Sequence, residues 1–246
     1  MSNYRLKVEF DGTEFHGWQI QPGVRTVQRD LQDALFGVLG AAVQVDGCCR
    51  TDAGVHARGF VGNFFADTRM EPDQIRRALA GALPGDIVVH ECGAVDDGFH
   101  ARYTCISRSY RYKITTAPTA VFRRVMAYTK YGLDCDRMSE GLRLLVGEHD
   151  FASFAPVSLN EKVSPVCHVL EASLRRDGEV ISFDVKADRF LHHMVRNIVG
   201  TLIEVGRGRF DPERVGEILC KKDRREAGPT APACGLVLME AHYPAL

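Results

Sequence analysis

Apolar residues recur along this chain with two periods, and the switches between them mark the candidate elements. Over 4–10 apolar and polar positions alternate, the period of a half-buried strand. Val27, Leu31, Leu35 and Val38 then recur at helical spacing behind Thr26, a residue type suited to an N-cap. Two further strands are predicted at 43–49 and 59–66, on either side of a loop that contains Asp52. Pro72 suits the first position of a helix with the apolar stripe Ile75, Leu79 and Leu83. A strand over 86–90 closes the unit.

The second half repeats that order with additions. A strand over 106–115 precedes a helix carrying Met138, Leu142, Leu145 and Val146. Alternation over 166–175 and 180–187, separated by Arg176-Asp177-Gly178-Glu179, predicts a hairpin. A helix follows with the broad apolar face Leu191, Met194, Val195, Ile198, Val199, Leu202 and Ile203. An inserted helix is expected to start at Asp211-Pro212-Glu213, with Asp211 capping and Pro212 in the first helical position, before a last strand at 235–243. Two successive βαββαβ patterns predict an α+β protein of two ferredoxin-like (RRM-like) halves with antiparallel sheets. The halves share no sequence repeat. The expected division is 1–105 and 106–246.

Composition fits that picture: 45% of the residues are hydrophobic and 26% charged, enough for a folded core with a wetted surface. The first eight residues hold no apolar run of the secretory kind, and no stretch approaches the ~20 apolar residues of a membrane helix. Eight cysteines without a C-x-x-C pair suit free thiols, so a cytoplasmic protein is expected. Net charge is −1, which alone argues against nucleic acid, but the charge is unevenly spread. No acidic residue lies between Asp97 and Asp134, where Arg102, Arg108, Arg111, Lys113, Arg123, Arg124 and Lys130 alternate with five tyrosines. Cations interleaved with aromatic rings suit a surface that neutralises phosphates and stacks on bases, although a solvated strand and loop would carry the same pattern.

Asp52 is the sharpest candidate for chemistry. Gly54 follows it, allowing a tight turn or close ligand approach, and Arg50 stands two residues before, where a cation would keep a carboxylate ionised. Local physics by itself favours another reading, a turn capped by its own carboxylate. Tyr110 read alone is a half-buried strand tyrosine as readily as a stacking platform. Arg196 interrupts an apolar helical face, where a buried guanidinium calls for a carboxylate. His192 and His193, adjacent on a helix, would point about 100° apart, which suits packing or phosphate contact rather than metal. Gly206-Arg207-Gly208-Arg209 lacks the lysine and spacing of a phosphate loop and reads as a basic turn.

The segment Arg50-Thr51-Asp52-Ala53-Gly54-Val55-His56-Ala57 resembles the signature of the TruA family of tRNA pseudouridine synthases. Similarity continues through Phe15-His16-Gly17-Trp18-Gln19, Asp97-Gly98-Phe99-His100-Ala101-Arg102, Tyr110-Arg111-Tyr112 and the eight residues from Gly147 to Phe154. It ends in Phe190-Leu191-His192-His193-Met194-Val195-Arg196-Asn197-Ile198-Val199-Gly200. The resemblance implies sheets meeting at a central catalytic cleft, and an isomerase that turns uridine into pseudouridine in the tRNA anticodon arm, just 3′ of the anticodon. It implies Asp52 acting at the target ribose, Arg196 paired with it, Tyr110 against the uracil, and Arg50 filling the space of the flipped base. Leu236 would line the pocket. A homodimer holding one tRNA across both subunits, and no cofactor or metal, are also implied. Ile20, Ala155 and Val163-Ser164-Pro165 depart from the family pattern, which bears on tRNA contacts rather than on the reaction.

Two other classes compete. A non-catalytic RNA-binding module would use the basic, tyrosine-rich stretch equally well, but a carboxylate in a phosphate-binding groove is a liability without a chemical task. A glycosidase or metal-dependent phosphotransferase would need a second carboxylate or further acidic ligands near Asp52, and the loop offers none.

Overall fold

The computed structural model describes residues 1–157 and 164–244; Val163, one of the departures above, lies outside the described residues. The chain forms two compact units, Met1–Ile106 together with the segment from Leu238, and Ser107–Val237.

In the first unit β1 (Ser2–Phe10), α1 (Val27–Leu39), β2 (Asp46–Gly47), β3 (His56–Ala66), α2 (Pro72–Ala82) and β4 (Ile87–Val95) follow in order. The antiparallel order β4-β1-β3, with β2 on the far edge of β3, is that of a ferredoxin-like unit. Alternation is strict where one face is wet, so Leu6, Val8 and Phe10 of β1 point into the core. Against them lie Val27, Leu31 and Leu35 of α1 and Ile75 and Leu79 of α2, all buried. Helix α2 starts where Pro72 predicts, behind a Glu71–Gln74 capping box. The strand expected over 43–49 shrinks to Asp46–Gly47, which pair with Asn63 and Gly62. The C-terminal strand occupies the neighbouring stretch of the same edge. A side chain at Gly59 would stand 2.4 Å from the Met239 carbonyl.

The second unit contains β5 (Ser107–Thr115), β6 (Ala127–Tyr128), α3 (Cys135–Arg143), β7 (Gly147–Asp150), β8 (Val166–Asp177), β9 (Val180–Ala187), α4 (Met194–Gly206) and α5 (Arg214–Lys221). The last strand, β10 (Leu236–His242), starts in this unit, and from Leu238 its residues belong to the first. Strands run β5-β9-β8-β7 and all three pairs are antiparallel or hairpin neighbours, with β6 parallel to β5. The expected hairpin β8–β9 turns at Gly178, whose φ of 55° only glycine adopts without strain.

Three local expectations change. Helix α3 ends at Arg143, so Leu145 reaches the core from the turn beyond it. Asp211 does not cap α5 with its side chain. Its carbonyl accepts from Arg214 N at 3.0 Å to form a preceding turn, while its carboxylate holds Arg137 at 2.9 Å. His192 and His193 precede α4 rather than riding on it. His193 takes a left-handed φ of 61° at the N-cap, and the two rings close to 3.8 Å. The 100° argument therefore does not apply to them.

Candidate active site

The Asp52 loop is held by the segment that follows β1. Trp18 N donates to the Thr51 carbonyl at 3.1 Å, and Gly54 N donates to the Phe15 carbonyl at 3.2 Å. Such an approach needs glycine on both sides. Gly17 sits at φ 87°, and a Cβ there would be 2.4 Å from the Thr51 carbonyl oxygen. A Cβ on Gly12 would be 2.0 Å from the Val55 oxygen. Gly12 N instead donates to His56 Nδ1 at 3.0 Å, tying the first residue of β3 to the end of β1. His56 is 4% exposed, and Asp11 Oδ1 lies 3.0 Å from the same nitrogen. Val55 N closes the turn on the Asp52 carbonyl at 3.2 Å. These backbone bonds hold the loop around the half-buried Asp52.

Behind the loop, Trp18 stacks on Phe60 with 4.1 Å between centroids, and Arg25 lies 4.1 Å over the Phe15 ring while forking onto Asp86 at 2.7 and 2.9 Å. Both its hydrogen-bonded carboxylates, Asp86 and Asp30, raise the Arg25 pKa, so the guanidinium stays charged and the loop stays anchored. Arg50 is exposed and lines a pocket in this unit together with Trp18, Asp46, His100 and Tyr103.

In the second unit Tyr110 is 8% exposed on β5, and its ring meets Phe190 edge to face at 5.1 Å and 85°. A ring held that way keeps its orientation without a hydrogen bond having to define it. Arg196 lies on the first turn of α4, half-buried, and its Nε donates to the Ala231 carbonyl at 2.8 Å. Ala231 N returns a bond to the Arg196 carbonyl at 3.1 Å. One short segment therefore fixes both ends of that residue. Leu236, 5% exposed, opens β10. Beside it Gly235 fits against Tyr112, whose hydroxyl donates to the Pro232 carbonyl at 2.8 Å. Burial pushes the Tyr112 phenol well above its ordinary range, so it stays protonated as a donor.

Reading the sequence misses Asn197. It is 1% exposed, donates to the Phe154 carbonyl at 2.7 Å, and accepts from Thr230 at 2.6 Å and Arg224 at 3.1 Å. The signal was a lone amide next to Arg196 on an apolar helix. Gly12 and Gly17 carry only the weak signal that any glycine carries.

A family model described as tRNA pseudouridine synthase matches residues 7–104 and 142–244. The tRNA pseudouridine synthase A of Acetivibrio thermocellus is 40% identical over 245 residues, covering 99% of this chain and 100% of its own. That of Geobacillus kaustophilus is 43% identical over 241 residues, covering 96% and 92%. That of Xanthomonas euvesicatoria is 41% identical over 246 residues, covering 98% and 95%.

Proposed function

The chain belongs to the tRNA pseudouridine synthase family, isomerases that convert uridine to pseudouridine, and from that premise we propose that Asp52 performs the sugar chemistry. The observation that carries this is the loop itself: Trp18 N and Gly54 N tie it to the segment after β1, so the half-buried Asp52 is presented from a fixed backbone. The reaction breaks the bond from C1′ to N1 and makes one from C1′ to C5; the proton on C5 is released and N1 takes one up, so the product is an isomer. Oxidation state does not change, so the chemistry needs no redox cofactor. A carboxylate beside C1′ can bond to that carbon, as in retaining glycosidases, or remove a ribose proton to give a glycal. Both routes place an ionised Asp52 at the ribose.

The other residues take the parts their chemistry allows. Arg196 is assigned as the cation that serves Asp52 in the reaction, its guanidinium stem fixed by Ala231. Tyr110 offers a flat wall on which the detached uracil turns without leaving, and Leu236 lines the same pocket. The target nucleotide must first be extruded, at a few kcal/mol, and Arg50 offsets part of this by stacking in the vacancy. The substrate is the tRNA anticodon arm just 3′ of the anticodon. The enzyme works in the cytoplasm as a homodimer, one tRNA lying across both subunits.

Tritium release from C5-labelled uridine in tRNA tests the chemistry. Asp52→Asn should lower it by about a thousandfold or more with tRNA binding retained; full activity in that variant would end the assignment. Mapping pseudouridines in the treated tRNA tests the anticodon-arm specificity, and sedimentation with and without tRNA tests the dimer.

A further inference from the structure

The first unit holds a pocket of about 250 Å³ that none of the roles above uses beyond Arg50 at its rim. Its lining is mostly polar, with the indole of Trp18 at one side. Trp18 is 3% exposed there, and Gly47 lets the indole lie close, since a Cβ at that position would be 2.7 Å from the ring. One wall is a polar pair: Asp46 Oδ2 stands 3.8 Å from His100 Nε2, longer than a hydrogen bond, so the carboxylate can accept from a donor that enters the pocket beside the pair. The other wall is aromatic. Tyr103 is 77% exposed yet ordered against His100, with 4.3 Å between ring centroids. Arg102 lies 5.8 Å from the tyrosine ring and, with Arg50, places positive charge at the mouth.

The wall is built rather than incidental. Buried Asn3 donates to the carbonyls of Asp96 and Phe99 at 3.0 and 2.8 Å, and Asn63 accepts from Ala101 N at 2.8 Å. Tyr243 donates to the Ala101 carbonyl at 2.6 Å. The strands of the unit therefore fix the turn that presents His100 and Tyr103.

We propose that this pocket binds one unpaired nucleobase of the tRNA, a neighbour of the target uridine, stacked on Tyr103 and donating an amino or imino hydrogen to Asp46. This rests on the function proposed above. A volume below the ~300 Å³ at which pockets begin to hold drug-sized ligands suits a single ring system. An exposed aromatic ring flanked by two arginines is how proteins hold single-stranded bases, and a carboxylate reads a base edge that donates. Arg50 lies two residues from Asp52, so their Cα atoms are at most ~7 Å apart. A base held beside Arg50 is thus a near neighbour of the one that reacts.

The experiment is fluorescence anisotropy of the full-length protein with an anticodon-arm RNA hairpin, intact and with single abasic sites scanned around the target. Tyr103→Ala should weaken binding of the intact hairpin about tenfold, and Tyr103→Phe should bind as the wild type does. One abasic position should weaken wild-type binding by the same factor and add nothing in Tyr103→Ala. Three results would overturn the pocket: Tyr103→Ala within twofold of the wild type, equal loss in Tyr103→Phe, or a loss that no abasic position shares. Pseudouridine formation by the wild type on the same hairpin is scored separately. Its absence counts against the proposed function, while the binding scan still decides the pocket.

Discussion

Gly17 packs against the Thr51 carbonyl, one residue before Asp52, with no room for a side chain, and there a single added atom has a large consequence. Gly17→Ala must place a Cβ on the Thr51 carbonyl and hold alanine at φ 87°. A non-glycine residue in a sparsely populated region costs about 1–3 kcal/mol, and relief of the clash would push the Asp52 loop outward. A misplacement of about 1 Å at a reacting group lowers rates by roughly a hundredfold. We expect Gly17→Ala to fold with a lowered melting temperature and to lose pseudouridine formation far more than tRNA binding; equal losses in both would show that the loop is not displaced. Thiols give a second residue-scale expectation. Burial pushes Cys92 and Cys167 up to about 11 and raises Cys48 as well, so at pH 8 these thiols stay protonated and unreactive. Brief iodoacetamide treatment followed by peptide mass spectrometry should find the exposed Cys220 alkylated and those three intact. As pH rises toward 11 their thiolate fraction grows, and labelling should spread to Cys92 and Cys167.

At the scale of elements, α4 matters because of what lies along it. A Cβ on Gly200 would be 1.6 Å from the Pro229 carbonyl, so the segment 228–231 packs on bare helix backbone. Gly228 N donates to Thr201 Oγ1 at 2.9 Å, and Asn197 collects Thr230, Arg224 and the Phe154 carbonyl. The same segment supplies Ala231 to Arg196. Removing the Asn197 amide strands buried groups at about 1–3 kcal/mol each. Asn197→Ala should therefore lose about 2 kcal/mol or more, lowering the melting temperature by roughly 4–8 °C. Its residual activity should fall further than a stability loss explains, because Arg196 loses its support. A drop in melting temperature with unchanged kcat would confine Asn197 to a structural part. The elements themselves were legible wherever one face is wet: β1, α2 and the hairpin β8–β9 follow the apolar period. The start of α5 was not, because Asp211 was drawn to Arg137, 74 residues away. The helical placement of His192 failed for a related reason, since the apolar stripe runs one turn past the left-handed His193.

For the whole molecule, net charge of −1 hides a local asymmetry. Tyr103, Tyr128 and Tyr131 of the acid-free stretch are exposed, and so are Arg102, Arg123, Arg124 and Lys130, whereas Tyr112 is core. If the exposed cations meet phosphates, binding releases counterions and weakens steeply with salt. We expect tRNA affinity to fall by at least about tenfold between roughly 50 and 200 mM salt, and a charge-neutral variant of Arg123 and Arg124 to flatten that slope. A slope unchanged by that variant would move the phosphate contacts elsewhere.

The sequence by itself determined the order of the main strands and helices, though not the short β6 and β7, because side-chain direction repeats every 2 or 3.6 residues and burial selects one face. It also determined the reaction, because the motif around Asp52 is long and contiguous. Tertiary structure decided what depends on residues far apart in the chain. Beside β3 only Asp46 and Gly47 of the expected strand pair, with Asn63 and Gly62. Asn3 and Asn63 set the turn of His100 and Tyr103 and so shaped the pocket beside Arg50. No local period encodes such contacts, since they exist only once loop closure has brought the segments together. Asp52 was visible from the start, but the backbone that fixes its loop became visible only through the bonds from Trp18 and to Phe15.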